Sequence, residues 1–173
     1  MKNFVKKIKP SNILFIGLFI YLAVTRFPVL YENSKLEETK VRDQQVTFLT
    51  GETKLLTELP PKKILIFWAT WCPPCRFEIF RFHSSFEDKS LPLDQIFFVN
   101  MGESDLEVKK FLKTNNYNFK VIMDRSGDLS QLFSVSGTPT VIHLEQLQIK
   151  KVSMGISPLG IISAKNFLLG SIF

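Results

Sequence analysis

From residue 46 onward the chain alternates short runs of consecutive apolar residues with longer stretches in which apolar residues recur every third or fourth position. Short apolar runs bounded by turn formers predict buried strands, and the helical spacing predicts helices with one inward face. Val46-Thr47-Phe48-Leu49 predicts a short first strand with Gly51 in the turn after it. Leu55 to Leu59 then leads through Pro60-Pro61 to a central strand at Ile64-Leu65-Ile66-Phe67-Trp68. A helix is expected from Pro73 to about Asp88, with Ile79, Phe82 and Phe86 on its inner side. Ile96-Phe97-Phe98-Val99 predicts the next strand, and the capping-box pattern Ser104-Asp105-Leu106-Glu107 opens a helix to about Thr114. Val121-Ile122-Met123 is extended and Gly127 to Phe133 a short helix. Thr140 to Leu144 and Ile149 to Ser153 form a strand pair, and Ser157-Pro158, as cap and first position, opens a last helix through Leu169. Strands alternating with helices, then two adjacent strands and a closing helix, predict an α/β fold: a mixed central sheet flanked by helices on both faces.

The first 30 residues follow another pattern. Lys2, Lys6, Lys7 and Lys9 precede an uncharged apolar run from Ile13 to Val24, and beyond Arg26 a weaker apolar shoulder reaches Leu30. A basic segment followed by an apolar one is membrane-directed. The run is shorter than the roughly 20 residues of a spanning helix. Arg26 can, however, snorkel to the headgroups and let Phe27 to Leu30 extend the span, and Ala23-Val24-Thr25 matches a small-x-small cleavage site poorly. The expectation is a retained transmembrane anchor helix within residues 1–30, with a cleaved signal and an internal core helix as alternatives. Residues 31–45, rich in Glu and Lys, are then a tether, and 46–173 the folded domain. The N-terminal lysines hold their end in the cytoplasm, which puts the domain on the extracytoplasmic, periplasmic side of the cytoplasmic membrane as a single-pass protein.

The net charge of +6 changes this picture little. Setting aside the four N-terminal lysines leaves 18 basic residues against 16 acidic ones. Lys62-Lys63, Lys109-Lys110 and Lys150-Lys151 are isolated pairs, so no nucleic-acid partner is expected.

Chemistry concentrates in Trp71-Cys72-Pro73-Pro74-Cys75, which holds the chain's two cysteines. Cys72 stands where the central strand gives way to a helix. Unpaired backbone N–H groups and the positive end of the helix dipole at such a position lower a thiol pKa from about 8.5 into a range of roughly 3.5 to 7.5. Positions three apart share a helix face, so the Cys75 sulfur can come within bonding distance of Cys72. Pro73 and Pro74 are tolerated in the first turn, where a missing N–H has no intrahelical partner. These residues imply a nucleophile, Cys72, that forms a mixed disulfide with a partner, and a resolving thiol, Cys75. A structural disulfide is the alternative. Gly137-Thr138-Pro139-Thr140 precedes a strand, where a proline is admitted at the strand start or in a special turn; cis and trans Thr138-Pro139 bonds are both open on these residues.

The segment Ile66-Phe67-Trp68-Ala69-Thr70-Trp71-Cys72-Pro73-Pro74-Cys75-Arg76-Phe77-Glu78 closely resembles the active-site segment of TlpA-like and ResA-like thioredoxins, which are membrane-anchored and extracytoplasmic. Phe48 with Gly51, Asp124-Arg125-Ser126-Gly127 and Ser136-Gly137-Thr138-Pro139-Thr140 extend the match to the C-terminus. The resemblance implies a thioredoxin fold, thiol-disulfide exchange without a cofactor beyond the Cys72–Cys75 disulfide, and a cis Pro139 beside that disulfide. Trp71, Pro73, Pro74 and the backbone of Thr138 would then form the surface that receives a client. Thioredoxins proper carry a buried aspartate where this chain has Ile66. Glu78 occupies the place of a glutamate found in ResA-like relatives, where it would tune Cys75, the alternative being an exposed acid paired with Arg81. Phe80 stands where relatives often have proline.

The function expected is thiol-disulfide oxidoreduction, with disulfide-bearing proteins as clients, apocytochrome c among the classes the family suggests, and a membrane thiol donor keeping the pair reduced. An oxidant or isomerase is the same-class alternative. A copper- or metal-handling module is the other, although His83 and His143, the two histidines, are not spaced as ligands with the cysteines, and no metal is expected. Peroxidase chemistry is disfavoured because Ala69 stands where peroxiredoxins place a threonine.

Overall fold

The computed structural model describes residues 15–21 and 36–170. They fall in two units, Met1–Glu32 and Asn33–Phe173. In the first, residues 15–21 are helical and exposed. Among the described residues no helix is long and apolar enough to cross a membrane. The rest of the expected anchor, residues 1–14 and 22–30, lies outside the described residues, as does the tether as far as residue 35.

The second unit is built on strand β3 (Lys62–Trp68). It follows a small hairpin of β1 (Gln45–Thr47) and β2 (Thr53–Leu55) and leads into α1 (Pro73–Glu87). Then come β4 (Ile96–Met101), α2 (Asp105–Thr114), β5 (Val121–Asp124), α3 (Asp128–Leu132), β6 (Thr140–Glu145), β7 (Gln148–Met154) and α4 (Gly160–Leu169). The main sheet has the order β5-β4-β3-β6-β7. β3, β4 and β5 run parallel, and β6 and β7 are antiparallel additions at the other side.

Alternation along the central strands sorts their side chains onto two faces, as a pleated strand requires. Ile64, Ile66 and Trp68 join Ile79 and Phe82 of α1, Val108 of α2 and Ala164 of α4 in one core. Leu65 and Phe67 join Val46, Leu56, Leu129 and Phe133 in the other. The continuous apolar runs of β3 and β4 are thus the signature of strands covered twice.

Local chemistry sets the helix ends. Ser104 accepts from the Glu107 N–H at 3.3 Å while the Glu107 carboxylate takes the Ser104 N–H at 3.0 Å, the reciprocal cap expected for α2. Asp124, at the end of β5, caps α3 by accepting from the N–H groups of Leu129 (3.0 Å) and Ser130 (2.8 Å).

Two expectations are corrected, and one strand is new. The tether ends before residue 45, because the main chain of residues 38–41 bonds to the free edge of β7: Glu38 and Val41 donate to the carbonyls of Ile149 and Leu147, and Ile149 donates to Thr39. β2 was not expected; its three residues are too few and too polar to show a strand pattern. The last helix begins at Gly160 rather than at Ser157-Pro158. Ser157 and Pro158 form a turn whose carbonyls accept hydrogen bonds from Arg81 of α1, a tertiary contact that overrides the local helix-start signal.

Candidate active site

Strand register assembles the site. Trp68 pairs with Asn100 of β4 and Phe67 with Thr140 of β6. The loop that leaves β3 therefore lies between the turn after β4 and the Gly137–Pro139 segment before β6. Cysteine, carboxylate and proline meet there from stretches far apart in sequence.

Cys72 is the N-cap of α1, and its Sγ accepts from the Cys75 N–H at 3.2 Å. That donor is one of the otherwise unpaired amides of a first helical turn, so the helix itself supports negative charge on Cys72 when the pair is reduced. Pro73 and Pro74 occupy the first turn without cost to its bonding. The two sulfurs form a disulfide of 2.10 Å with the Cα atoms 5.2 Å apart. Cys75 is wholly buried and Cys72 nearly so. Cys72 is the sulfur that meets the segment before β6: the Thr138 hydroxyl donates to it at 3.5 Å, and the Thr138 carbonyl lies 3.8 Å away. The Thr138-Pro139 peptide is cis, and Pro139 is buried.

Trp71 stands beside the sulfurs with 70% of its surface exposed. Trp68, three residues earlier, is the core tryptophan, packed on Phe111 at 5.1 Å between ring centres.

Glu78 combines parts of both readings made from sequence. It pairs with Arg81 at 2.8 Å, yet it is fully buried, one turn beyond Cys75 on the same helix. Burial pushes its carboxyl above the usual carboxylate range, and the Arg81 guanidinium opposes that rise. Ile66 is buried in the core, so β3 supplies no carboxylate.

Sequence reasoning missed Glu103 and Asn100. The Glu103 carboxylate accepts from the Thr70 N–H at 2.7 Å and from the Thr70 hydroxyl, and the side-chain amide of the buried Asn100 holds it at 2.6 Å. Arg76 donates to the Thr70 carbonyl at 2.7 Å. Thr70 is thereby fixed at all three of its polar groups, and with it the loop that presents Trp71 and Cys72. A polar Asn closing the apolar run Ile96–Val99 is the one sequence signal that pointed here.

The histidines lie elsewhere. His83 packs against Tyr117 at 4.7 Å. His143 is buried on β6 against Phe167, where burial, then the Lys151 charge, push its imidazole down to about 4. Among the described residues no three His, Cys, Asp or Glu side chains cluster as metal ligands.

A cysteine pair at a helix N-terminus facing a cis proline, on a thioredoxin-like sheet, defines a class of proteins that exchange disulfides with other chains. The family model described as AhpC/TSA matches residues 36–164. Sporulation thiol-disulfide oxidoreductase A of Bacillus subtilis is 31% identical over 146 residues, which cover 80% of this chain and 88% of that protein. Thiol-disulfide oxidoreductase ResA of Geobacillus thermodenitrificans is 27% identical, covering 80% and 83%. Among solved structures, StoA of Bacillus subtilis superposes with a TM-score of 0.61 at 26% identity, covering 73% of this chain and 96% of that one. A putative thiol:disulfide interchange protein DsbE of Chlorobium tepidum gives 0.64 at 25%, covering 78% and 96%. The chain belongs to the AhpC/TSA family, as one of its ResA-like thiol-disulfide oxidoreductases.

Proposed function

We propose that this protein reduces disulfides of other proteins outside the cytoplasm, with Cys72 attacking and Cys75 resolving. The observation that carries the reading is the asymmetry of the pair. Cys72 borders exposed Trp71 and the Thr138 backbone, whereas Cys75 is sealed beneath it, one helical turn before a buried acid. A client would lie across Trp71, Pro73 and Pro74 and pair with the main chain of Thr138.

Direction follows from what stabilises the reduced form. Strong oxidants of this spacing hold their dithiol state by favouring the thiolate, and potentials range from about −270 to −120 mV accordingly. Here the helix N-terminus favours Cys72 thiolate. The nearby guanidiniums are otherwise engaged, however, Arg76 with Thr70 and Arg81 with Glu78, and two carboxylates, Glu78 and Glu103, stand close by in the structure. That balance supports a reductase. The basic and apolar N-terminal segment supports anchoring at the outer face of the cytoplasmic membrane, with a membrane thiol donor restoring the dithiol and cytochrome c maturation-type substrates among the clients. No cofactor beyond the disulfide is needed.

Two measurements test this. Cys75→Ala in the full chain is expected to retain clients as mixed disulfides through Cys72, released by dithiothreitol and absent from Cys72→Ser. A redox titration against glutathione is expected to give a potential near the reducing end of the range; a value near −120 mV would assign the protein as an oxidant instead.

A further inference from the structure

Arg81 takes no part in the exchange chemistry described above, yet it makes three hydrogen bonds beside the site. One guanidinium nitrogen donates to Glu78 Oε2 at 2.8 Å and to the Ser157 carbonyl at 2.7 Å. The other donates to the Pro158 carbonyl at 3.1 Å. The plane rests near the Phe77 ring, 5.9 Å from its centre. One side chain of α1 thus ties the acid to the turn that opens α4.

For Glu78 the result is a carboxylate with two unlike oxygens. Oε2 is committed to the guanidinium, and Oε1 is buried without a hydrogen-bond partner. Room for Oε1 comes from the first residue of α4: a Cβ at Gly160 would stand 3.1 Å from it. A buried carboxylate oxygen without a partner is costly, and a native fold keeps such a group where it serves a purpose, a catalytic one among them.

We propose that Arg81 is a positioning residue for disulfide exchange, fixing Glu78 against the α4 turn so that Oε1 is the face of the acid that takes and returns a proton one helical turn beyond Cys75. This deepens the reductase reading and rests on it. In the resolving step the Cys75 thiol gives its proton to Glu78, and its sulfur attacks Cys72 in the mixed disulfide. The Cys72–Cys75 bond forms, the bond to the client breaks, and the client leaves as a thiolate. The dithiol has then lost two electrons to the client disulfide, and the proton on Glu78 passes to solvent.

The charged surroundings are simple. α1 contributes Arg81 and the Cys75 thiol. The α4 turn presents Gly160 and two neutral carbonyls, and β3 carries no charged side chain from Ile64 to Trp68. Lys165 of α4 acts on Asp88, past the far end of α1, and on β6 and β7 Lys151 acts on His143. Arg81 is the charge that acts on Glu78.

The test is the pH profile, from 5 to 9, of single-turnover reduction of a disulfide-bonded insulin chain pair by the dithiol form of the full chain. Removing Arg81 withdraws the charge that favours ionised Glu78, so Arg81→Met is expected to move the acid limb upward by about one pH unit, which reads as up to about a tenfold loss of rate at pH values on the acid side of the limb. Glu78→Gln is expected to abolish that limb. Arg81→Met added to Glu78→Gln is expected to change nothing more. Arg81→Lys, which keeps the charge but not the fork, is expected to lie between wild type and Arg81→Met. An unchanged limb in Arg81→Met, or an equal shift with and without Glu78, overturns the proposal, even where the melting temperature falls. Cys72→Ser run alongside separates this outcome from failure of the exchange reading, which fails if that variant still reduces insulin.

Discussion

Strand β3 has a buried lysine near its start and leads to the disulfide at its end, and the two regions handle buried charge differently. Lys63 is fully buried, and its ammonium donates to the neutral carbonyl of Gln146 at 3.0 Å. Burial lowers its pKa to about 8, against the attraction of Asp43. Glu78, one helical turn beyond Cys75, is buried to the same degree but has a guanidinium in direct contact and one oxygen uncommitted. A buried ion is a candidate for chemistry when a counter-charge and a spare polar atom meet on it within one helical turn of a reactive group, the arrangement proposed above for Glu78. Lys63 has the burial without the convergence and is a cost to folding.

The widest gap between the two regions is expected in rate. Cys72→Ser should lower single-turnover disulfide reduction by roughly a thousandfold or more, whereas Lys63→Met should leave it within about twofold. Comparable losses in both variants would erase the distinction.

His143, paired in register with Ile64 near the lysine, carries the comparison to a base buried neutral. Its folded pKa of about 4 lies below the ordinary 6.5. Between these values the unfolded chain takes a proton that the folded one refuses. Stability is therefore fully present above pH 6.5 and declines toward pH 4, by on the order of 3 kcal/mol from this group. Glu78, with its pKa raised, acts in the opposite sense as pH falls. Urea unfolding of His143→Gln between pH 4 and 7 should show a flatter dependence than wild type; an equal slope would exonerate the imidazole.

Lys63→Met is expected to stabilise the fold by about 2 kcal/mol at pH 7, the relief of desolvation exceeding one lost hydrogen bond. Because a lowered lysine pKa costs stability below it and less above, the gain should shrink as pH rises from about 8 toward 10.5. A destabilised Lys63→Met would mean the Gln146 bond matters more than the charge.

The smallest effect is expected at the loop clamp. Glu103→Gln keeps the shape but weakens the bonds to Thr70, and a loss of about 1 kcal/mol by chemical denaturation is expected, with weaker trapping of clients.

What was legible beforehand depended on range. Cys72 as an N-cap, Pro73 in the first turn and the Ser104–Glu107 box are set by neighbours within four residues, and the structure has them in place. Alternation and apolar runs placed the sheet because strands covered on both faces have few ways to be built. The start of α4 was misread because Arg81, 76 residues before Ser157, takes its carbonyl. Glu103 was invisible because its partner Thr70 lies 33 residues away and meets it through the β3–β4 register.

By itself the sequence determined that Cys72 caps a helix after a buried strand with Cys75 in its first turn, since the requirements of a helix terminus are local. Which sulfur meets Thr138, which acid lies buried one turn beyond the other, and which oxygen of that acid stays uncommitted were decided by tertiary structure. Desolvation and ion pairing are properties of the space between elements, and the packing of α1 on the α4 turn creates that space.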